Sequence, residues 1–230
     1  MQTFTRLALA PVFACQALGV LARTPRLPEA AGPRAGVSGQ GRDLRLLILG
    51  DSSAAGVGVA HQDKALSGHL LAHLVPHFRV SWQLNARSGA TTAQARAMLA
   101  GDAPFDIAVL ALGVNDVLRQ TNARRFARET AGLLEELRQR HRVKHVLASA
   151  VPPLGAFSVF PQPLRALLGH RSTMLDAIAQ QACAKAGAVH VPFDLAPDPH
   201  WLATDGLHPG PPLYAEWGRR MAGLALDRLS

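Results

Sequence analysis

A run of small and polar residues, Gly50-Asp51-Ser52-Ser53-Ala54-Ala55-Gly56, follows directly on the apolar stretch 44–49. Small side chains let the backbone turn sharply at such a point and leave a hydroxyl exposed, ready to act as a nucleophile once a base takes its proton. Near the other end of the chain stands Asp205-Gly206-Leu207-His208-Pro209, an acid three residues before an imidazole, with a proline suited to opening a helix. Two further loops lie between them. Asn85-Ala86-Arg87-Ser88-Gly89-Ala90-Thr91 holds a glycine whose amide can point into a cleft, and Gly113-Val114-Asn115-Asp116 holds an uncharged amide side chain. A hydroxyl, an imidazole, a carboxylate to hold the imidazole tautomer and N–H donors for an oxyanion are what acyl transfer requires. A phosphate loop is the first rival for the opening block. It fails because no Lys-Ser/Thr follows a glycine at the required spacing, and the glycines do not match a dinucleotide fingerprint. An ordinary strand-to-helix turn also uses Gly, Asp and Ser, so the first block decides nothing alone.

These loops need a frame that brings them together. Residues 44–49, 80–84, 107–112, 145–150 and 188–191 are short apolar runs, several without interruption, as expected of strands buried on both faces. Helical patterns fill the intervals at 64–74, 92–99, 122–140 and 163–186, with a last one after Pro212. The alternation calls for a parallel sheet with helices on both sides and right-handed crossovers, and it puts ligands at the carboxyl ends of the strands. The four loops then converge on one rim.

In this order the blocks resemble those of the SGNH hydrolase superfamily, the GDSL-type esterases and lipases: Gly50-Asp51-Ser52, then Gly89, then Gly113-Val114-Asn115-Asp116, then Asp205-Gly206-Leu207-His208, spanning residues 46–208. The resemblance implies a flavodoxin-like three-layer α/β/α sandwich with about five parallel strands, and serine esterase chemistry through an acyl-enzyme. It makes Ser52 the nucleophile, with Asp205 and His208 completing the triad, and builds the oxyanion hole from the Ser52 amide, Gly89 and Asn115. Neither a cofactor nor a metal is implied. Ser53-Ala54-Ala55 stands where many members carry Leu-Thr or a similar pair, which leaves the substrate class open. The chemistry of the side chains agrees with the roles: Asn115 offers N–H groups without charge, whereas Asp116 would repel an oxyanion and instead braces its loop or caps the following turn. Asp51 reads as structural. A sugar O-acetyl esterase or an acyltransferase would use the same constellation. A flavodoxin-like anion-binding module without catalysis would use the same donors, but gains nothing from a carboxylate that fixes a tautomer. The expected substrate is a small-molecule or lipid ester of short to medium acyl length. The segment 151–161 reaches the same rim with Phe157 and Phe160 to line a pocket and prolines to limit its opening.

The remaining features bound the reading. Of 230 residues 48% are hydrophobic and only 2 are Cys, so one packed core, rather than disulfides, holds the domain. Lys and Arg number 24 against 16 Asp and Glu, a net charge of +8, yet only Lys64, Lys144 and Lys185 are lysines and no nucleic-acid motif is present. His69, His73 and His77 share a helical spacing that could bind a metal, but Pro76 breaks the last turn and no carboxylate joins them, so they are not read as a metal site. His200, before Trp201, lacks the acid's three-residue spacing and reads as loop packing; Arg124, Arg125 and Arg128 read as a solvated helix face, and Cys183 as a small buried hydrophobe. At the N-terminus a basic stretch ending at Arg6 precedes an apolar run at 7–22, broken by Gln16, Pro11 and Gly19. That is the form of a signal peptide or membrane anchor, with export to the periplasm or cell exterior and membrane association through the N-terminus as the expectation. Residues 23–42, rich in Pro, Gly and Arg, read as a linker, and the hydrolase domain as 43–230.

Overall fold

The computed structural model describes residues 9–192 and 198–229. Six strands form one sheet: β1 (Ala35–Ser38), β2 (Arg42–Gly50), β3 (Phe78–Ala86), β4 (Ile107–Ala111), β5 (His145–Ser149) and β6 (Val189–Val191). Their spatial order is β1-β3-β2-β4-β5-β6, and every pair is parallel except β1 with β3. The five parallel strands have the flavodoxin-like order, whose direction of winding reverses between β2 and β4 and opens a crevice there.

Alternate side chains of β2 show why its residues 46–49 are apolar without interruption. Leu44, Leu46 and Ile48 face one side of the sheet, with Leu66, Leu70 and Leu74 of α2 (Leu66–Leu74) and Met221, Ala222 and Ala225 of the last helix. Leu47 and Leu49 face the other side, with Leu133, Leu134 and Leu137 of α5 (Ala123–Gln139). A central strand covered on both faces has no solvent side on which a polar residue could sit. Helix α5 follows from its own pattern, with Phe126, Thr130, Leu133, Leu134 and Leu137 on one face and the Asn122 side chain accepting from the Arg124 and Arg125 amides at 2.9 and 3.4 Å. Two short helices, α3 (Thr92–Arg96) and α4 (Val114–Leu118), follow β3 and β4, while α6 (Leu164–Ala186) and α7 (Pro211–Leu229) complete the outer layers. At the amino ends of the strands, Asp106 binds Arg45 through both carboxylate oxygens and also meets Lys144; this hydrogen bonding holds its carboxyl down at about 2.

The N-terminal part departs from the sequence expectation. Within the stretch read as linker, Ala35–Ser38 pairs antiparallel with β3 as a sixth, edge strand, Ala30 is buried, and Glu29 forms an ion pair with Arg34 at 2.5 Å. All four residues of β1 are exposed, so the strand exists through backbone pairing alone and carries no apolar pattern to betray it. Ahead of it, residues 10–23 form helix α1 (Ala10–Arg23), which packs Phe13, Ala17 and Val20 on a third apolar cluster built by α6 and the loop after β5. Among the described residues no helix is long and apolar enough to cross a membrane. Residues 1–8, which include Arg6, lie outside the described residues. Cys183 is buried in α6, where loss of hydration pushes its thiol up to about 11.

Candidate active site

The turn that follows β2 is held from three sides. The Asp51 amide donates to the Ala111 carbonyl of β4 at 3.1 Å, and the Val57 amide donates to the Ser52 carbonyl at 3.0 Å, closing the turn on itself. The Tyr214 hydroxyl of α7 points at the carbonyls of Ser53 and Val57, 2.9 and 2.8 Å away. Gly50 permits the crossing of β2 and β4 at this point, because a Cβ there would lie 2.5 Å from the Ala54 side chain and 2.6 Å from the Ala111 carbonyl oxygen.

Asp205 explains its three-residue spacing from the histidine. Its Oδ1 accepts from the amides of Leu207 and His208, both at 3.0 Å, which fixes the turn, while its Oδ2 lies 2.5 Å from the imidazole Nδ1 of His208. One carboxylate thus shapes the loop and orients the ring. The other ring nitrogen, Nε2, lies 2.8 Å from Ser52 Oγ. Burial acts to raise the Asp205 carboxyl, but the hydrogen bonds from the His208 ring and the two amides outweigh it and hold the group below its ordinary value. An anionic carboxylate at this distance favours the tautomer that carries its proton on Nδ1, an arrangement in which Nε2 can accept from the Ser52 hydroxyl.

The other loops reach the same cavity, which has a volume of about 780 Å³ and is lined in part by Ser52, Gly89, Asn115, Asp205 and His208. Gly89 has φ +77°, a conformation that L side chains rarely adopt. Asn115 lies in the first turn of α4 and donates from Nδ2 to Asp51 Oδ2 at 3.2 Å. Asp116, by contrast, turns away to accept from the amide and hydroxyl of Thr92, both at 2.8 Å, and so braces the start of α3. The structure brings together all five residues named from the sequence. His200 lies exposed in a short 3-10 turn, edge-on to Trp201, and His69 packs its Cβ against Gly218.

Two supporting groups are not visible from motifs. Glu29 reaches across from the N-terminal stretch to accept from the Ser88 amide at 2.7 Å, beside Gly89. Tyr214 is the only tyrosine of the chain and is fully buried; a buried hydroxyl demands acceptors, which is the one signal that could have pointed to it. Asp51, besides accepting from Asn115, accepts from the Ser53 amide at 3.0 Å.

Asp51 is also the site's most displaced carboxyl. Its burial pushes it up to about 6, against opposing contributions from the Ser53 amide, His208 and Asn115. The folded value stands above the unfolded one, so between about pH 4 and 6 the folded chain holds a proton that the unfolded chain has released. The stabilisation is then fully present below about pH 4 and lost as pH rises through 6, a swing of about 3 kcal/mol. Against the non-titrating Asp51→Asn variant, the parent protein is expected to lose about 2 kcal/mol of that relative stability from pH 4 to 6 in urea unfolding. A constant difference over this range would show that the carboxyl titrates at its ordinary value.

Comparisons with known proteins bear on the family and the fold. The GDSL-like lipase/acylhydrolase family matches residues 48–215. A GDSL-like esterase of Mycobacterium tuberculosis is 35% identical over 187 residues, which cover 75% of this chain and 59% of that protein. The chain thus matches less than two thirds of this relative's length. Among solved structures, a lipase/acylhydrolase from Enterococcus faecalis superposes with a TM-score of 0.64 at 20% identity, over 80% of this chain and 96% of the other. An esterase from Pseudoalteromonas gives 0.62 at 20% identity, over 80% and 100%. An acetyl xylan esterase from Geobacillus stearothermophilus gives 0.54 at 18%, over 80% and 93%. At these identities the structures speak for the fold, whereas the sequence match carries the family: this chain belongs to the GDSL-like lipase/acylhydrolase family.

Proposed function

We propose that the chain is a serine esterase that hydrolyses carboxylic esters of short to medium acyl length through an acyl-enzyme. The observation that carries this reading is the continuous relay Asp205, His208, Ser52, with spacings of 2.5 and 2.8 Å, opening into an apolar cavity. Ser52 Oγ attacks the ester carbonyl while His208 Nε2 takes its proton. The carbonyl oxygen becomes an oxyanion facing the Ser52 and Gly89 amides and the Asn115 side chain. His208 then returns the proton to the departing alcohol, and a water activated by the same imidazole releases the acid.

The cavity supports the choice of acyl group. Leu154, Phe157, Phe160 and Leu168 line it, so the segment after β5 does reach the rim with its aromatic side chains. A volume of about 780 Å³ suits a whole ligand of moderate size, acyl group and leaving alcohol together. A sugar ester would seat a hydroxyl-rich group against these apolar walls and leave its polar atoms short of partners, so it is the poorer fit.

Two measurements test the proposal. An alkyl phosphonate ester is expected to attach covalently to Ser52, read by peptide mass. Across acetyl, butyryl, octanoyl and palmitoyl esters, kcat/KM is expected to peak between two and eight carbons, since each buried methylene contributes up to about 0.8 kcal/mol only while the pocket lasts. Folded protein that takes no phosphonate would favour a passive binding module, and a steady climb to palmitoyl would overturn the acyl-length assignment.

A further inference from the structure

A cleavable leader has no use for a polar side chain in the middle of its apolar run, yet Gln16 interrupts residues 7–22. In the folded chain both ends of its amide are engaged. Oε1 accepts from the Leu164 amide at 3.0 Å, and Nε2 donates to the Gln162 carbonyl at 2.5 Å. Leu164 is the first residue of α6, and amides in a first helical turn have no partner within their own helix. Gln16 supplies that partner from 148 residues away. On the same side of α1, Phe13, Ala17 and Val20 fall at i, i+4 and i+7 and form the stripe packed on the third apolar cluster. A stripe and a two-point polar clasp together define one orientation for the helix.

That orientation has a consequence for the cavity beside Ser52. Phe13, Ala14, Ala17, Val20 and Leu21 line it as well, with Thr24 and Leu27 from the segment that follows α1. We infer that α1 is a retained, specificity-determining part of the enzyme, whose inner face packs against the acyl chain of substrates longer than acetyl. This rests on the esterase reading for the nature of the substrate. The acetyl methyl group stays beside the reacting carbon, within the triad and oxyanion loops. Each further methylene that leaves this neighbourhood enters the space between α1 and the loop after β5, where burial against apolar walls raises kcat/KM by up to about fourfold per carbon. Removal of residues 1–22 would take away that wall and leave the Leu164 amide without Gln16.

The test uses the full chain. Ala14 lines the cavity but is otherwise exposed, so Ala14→Trp adds bulk to the cavity without displacing a core residue. It is expected to lower kcat/KM for octanoyl esters tenfold or more while leaving acetyl esters within about twofold. Phe13→Ala, which removes wall surface, is expected to lower the octanoyl to acetyl ratio several-fold and serves as the second variant if Ala14→Trp misfolds. Rates of Ser52 labelling by ethyl and octyl phosphonates give the same ratio without turnover. If Ser52 takes no phosphonate, the esterase reading and this inference fall together. If Ser52 is labelled but the octyl to ethyl ratio is the same in parent and variants, only the role of α1 falls. Active enzyme whose mass lacks residues 1–22 and whose chain-length profile is unchanged would overturn it as well.

Discussion

Replacement of Ser52 by alanine is expected to lower kcat by roughly 10⁴- to 10⁶-fold, and His208→Ala by a comparable factor, because members of such a relay act as a unit. What remains is the contribution of substrate binding and the oxyanion donors. Ser53→Ala is the internal control. Its backbone amide donates to Asp51 and its carbonyl accepts from Tyr214, both of which survive the substitution, and no contact of its hydroxyl with the relay is needed for the chemistry. It should retain most of the activity. Asp205→Asn should fall nearly as far as the triad knock-outs: the side chain is almost wholly buried against the ring, and an amide in its place would present N–H to Nδ1 and turn the imidazole to the wrong tautomer. Steady-state kinetics on a short acyl ester reads all four. Loss of activity in Ser53→Ala with retention in Ser52→Ala would reverse the nucleophile assignment.

The frame was legible in the sequence because its elements leave local marks, and the five residues proposed for the site were named from four blocks in one order, none of which decides anything alone. Strand segments covered on both faces leave no solvent side for a polar residue, so 46–49 of β2, all of β4 and 146–148 of β5 stand out as apolar runs, and the expected 163–186 helix matches α6 to within one residue. Ser52, Gly89 and Asn115 follow the ends of β2, β3 and β4, where turns favour small and polar residues, whereas Asp205 and His208 lie just ahead of α7 and are marked by their own three-residue spacing. What was hidden lacks such a mark. Strand β1 pairs through its backbone and exposes every side chain. Helix α1 is apolar whether it is a leader or a packed wall, and what sets it against the domain, the bonds of Gln16 to Gln162 and Leu164 and the packing of Phe13, Ala17 and Val20, is made with residues up to 148 positions distant in the chain. The end of the expected 92–99 helix also differs, since regular α-helix stops at Arg96 and the amides of Met98 and Leu99 turn to the tighter acceptors Ala95 and Arg96. The link from Asp51 to Asn115 joins two blocks that sequence treats separately, yet β2 and β4 are neighbours at the switch of winding, and their following loops must meet.

That link shapes the second large effect. Asn115→Ala is expected to lower kcat by roughly 10²- to 10³-fold with little change in KM, the signature of a donor that serves developing charge rather than the bound ester. The Asn115 amide nitrogen carries two hydrogens. One is engaged with Asp51 Oδ2 at 3.2 Å, which restrains the amide, and the other is available to an oxyanion in the cavity that Asn115 and Ser52 both line. In the proposed mechanism such a restrained donor needs no reorganisation when the oxyanion forms. Asn115→Asp should be worse than alanine, because it sets a second carboxylate against Asp51 and turns an acceptor toward the oxyanion. Asp51→Asn keeps the size of the brace while weakening its pull, so its loss of kcat should be smaller than that of Asn115→Ala, and the double variant should lose little more than Asn115→Ala alone, as expected when one residue acts through the other. Additive losses would mean that Asp51 acts on the serine turn independently of Asn115, and a pure rise in KM for Asn115→Ala would move that side chain from the oxyanion to the bound ester.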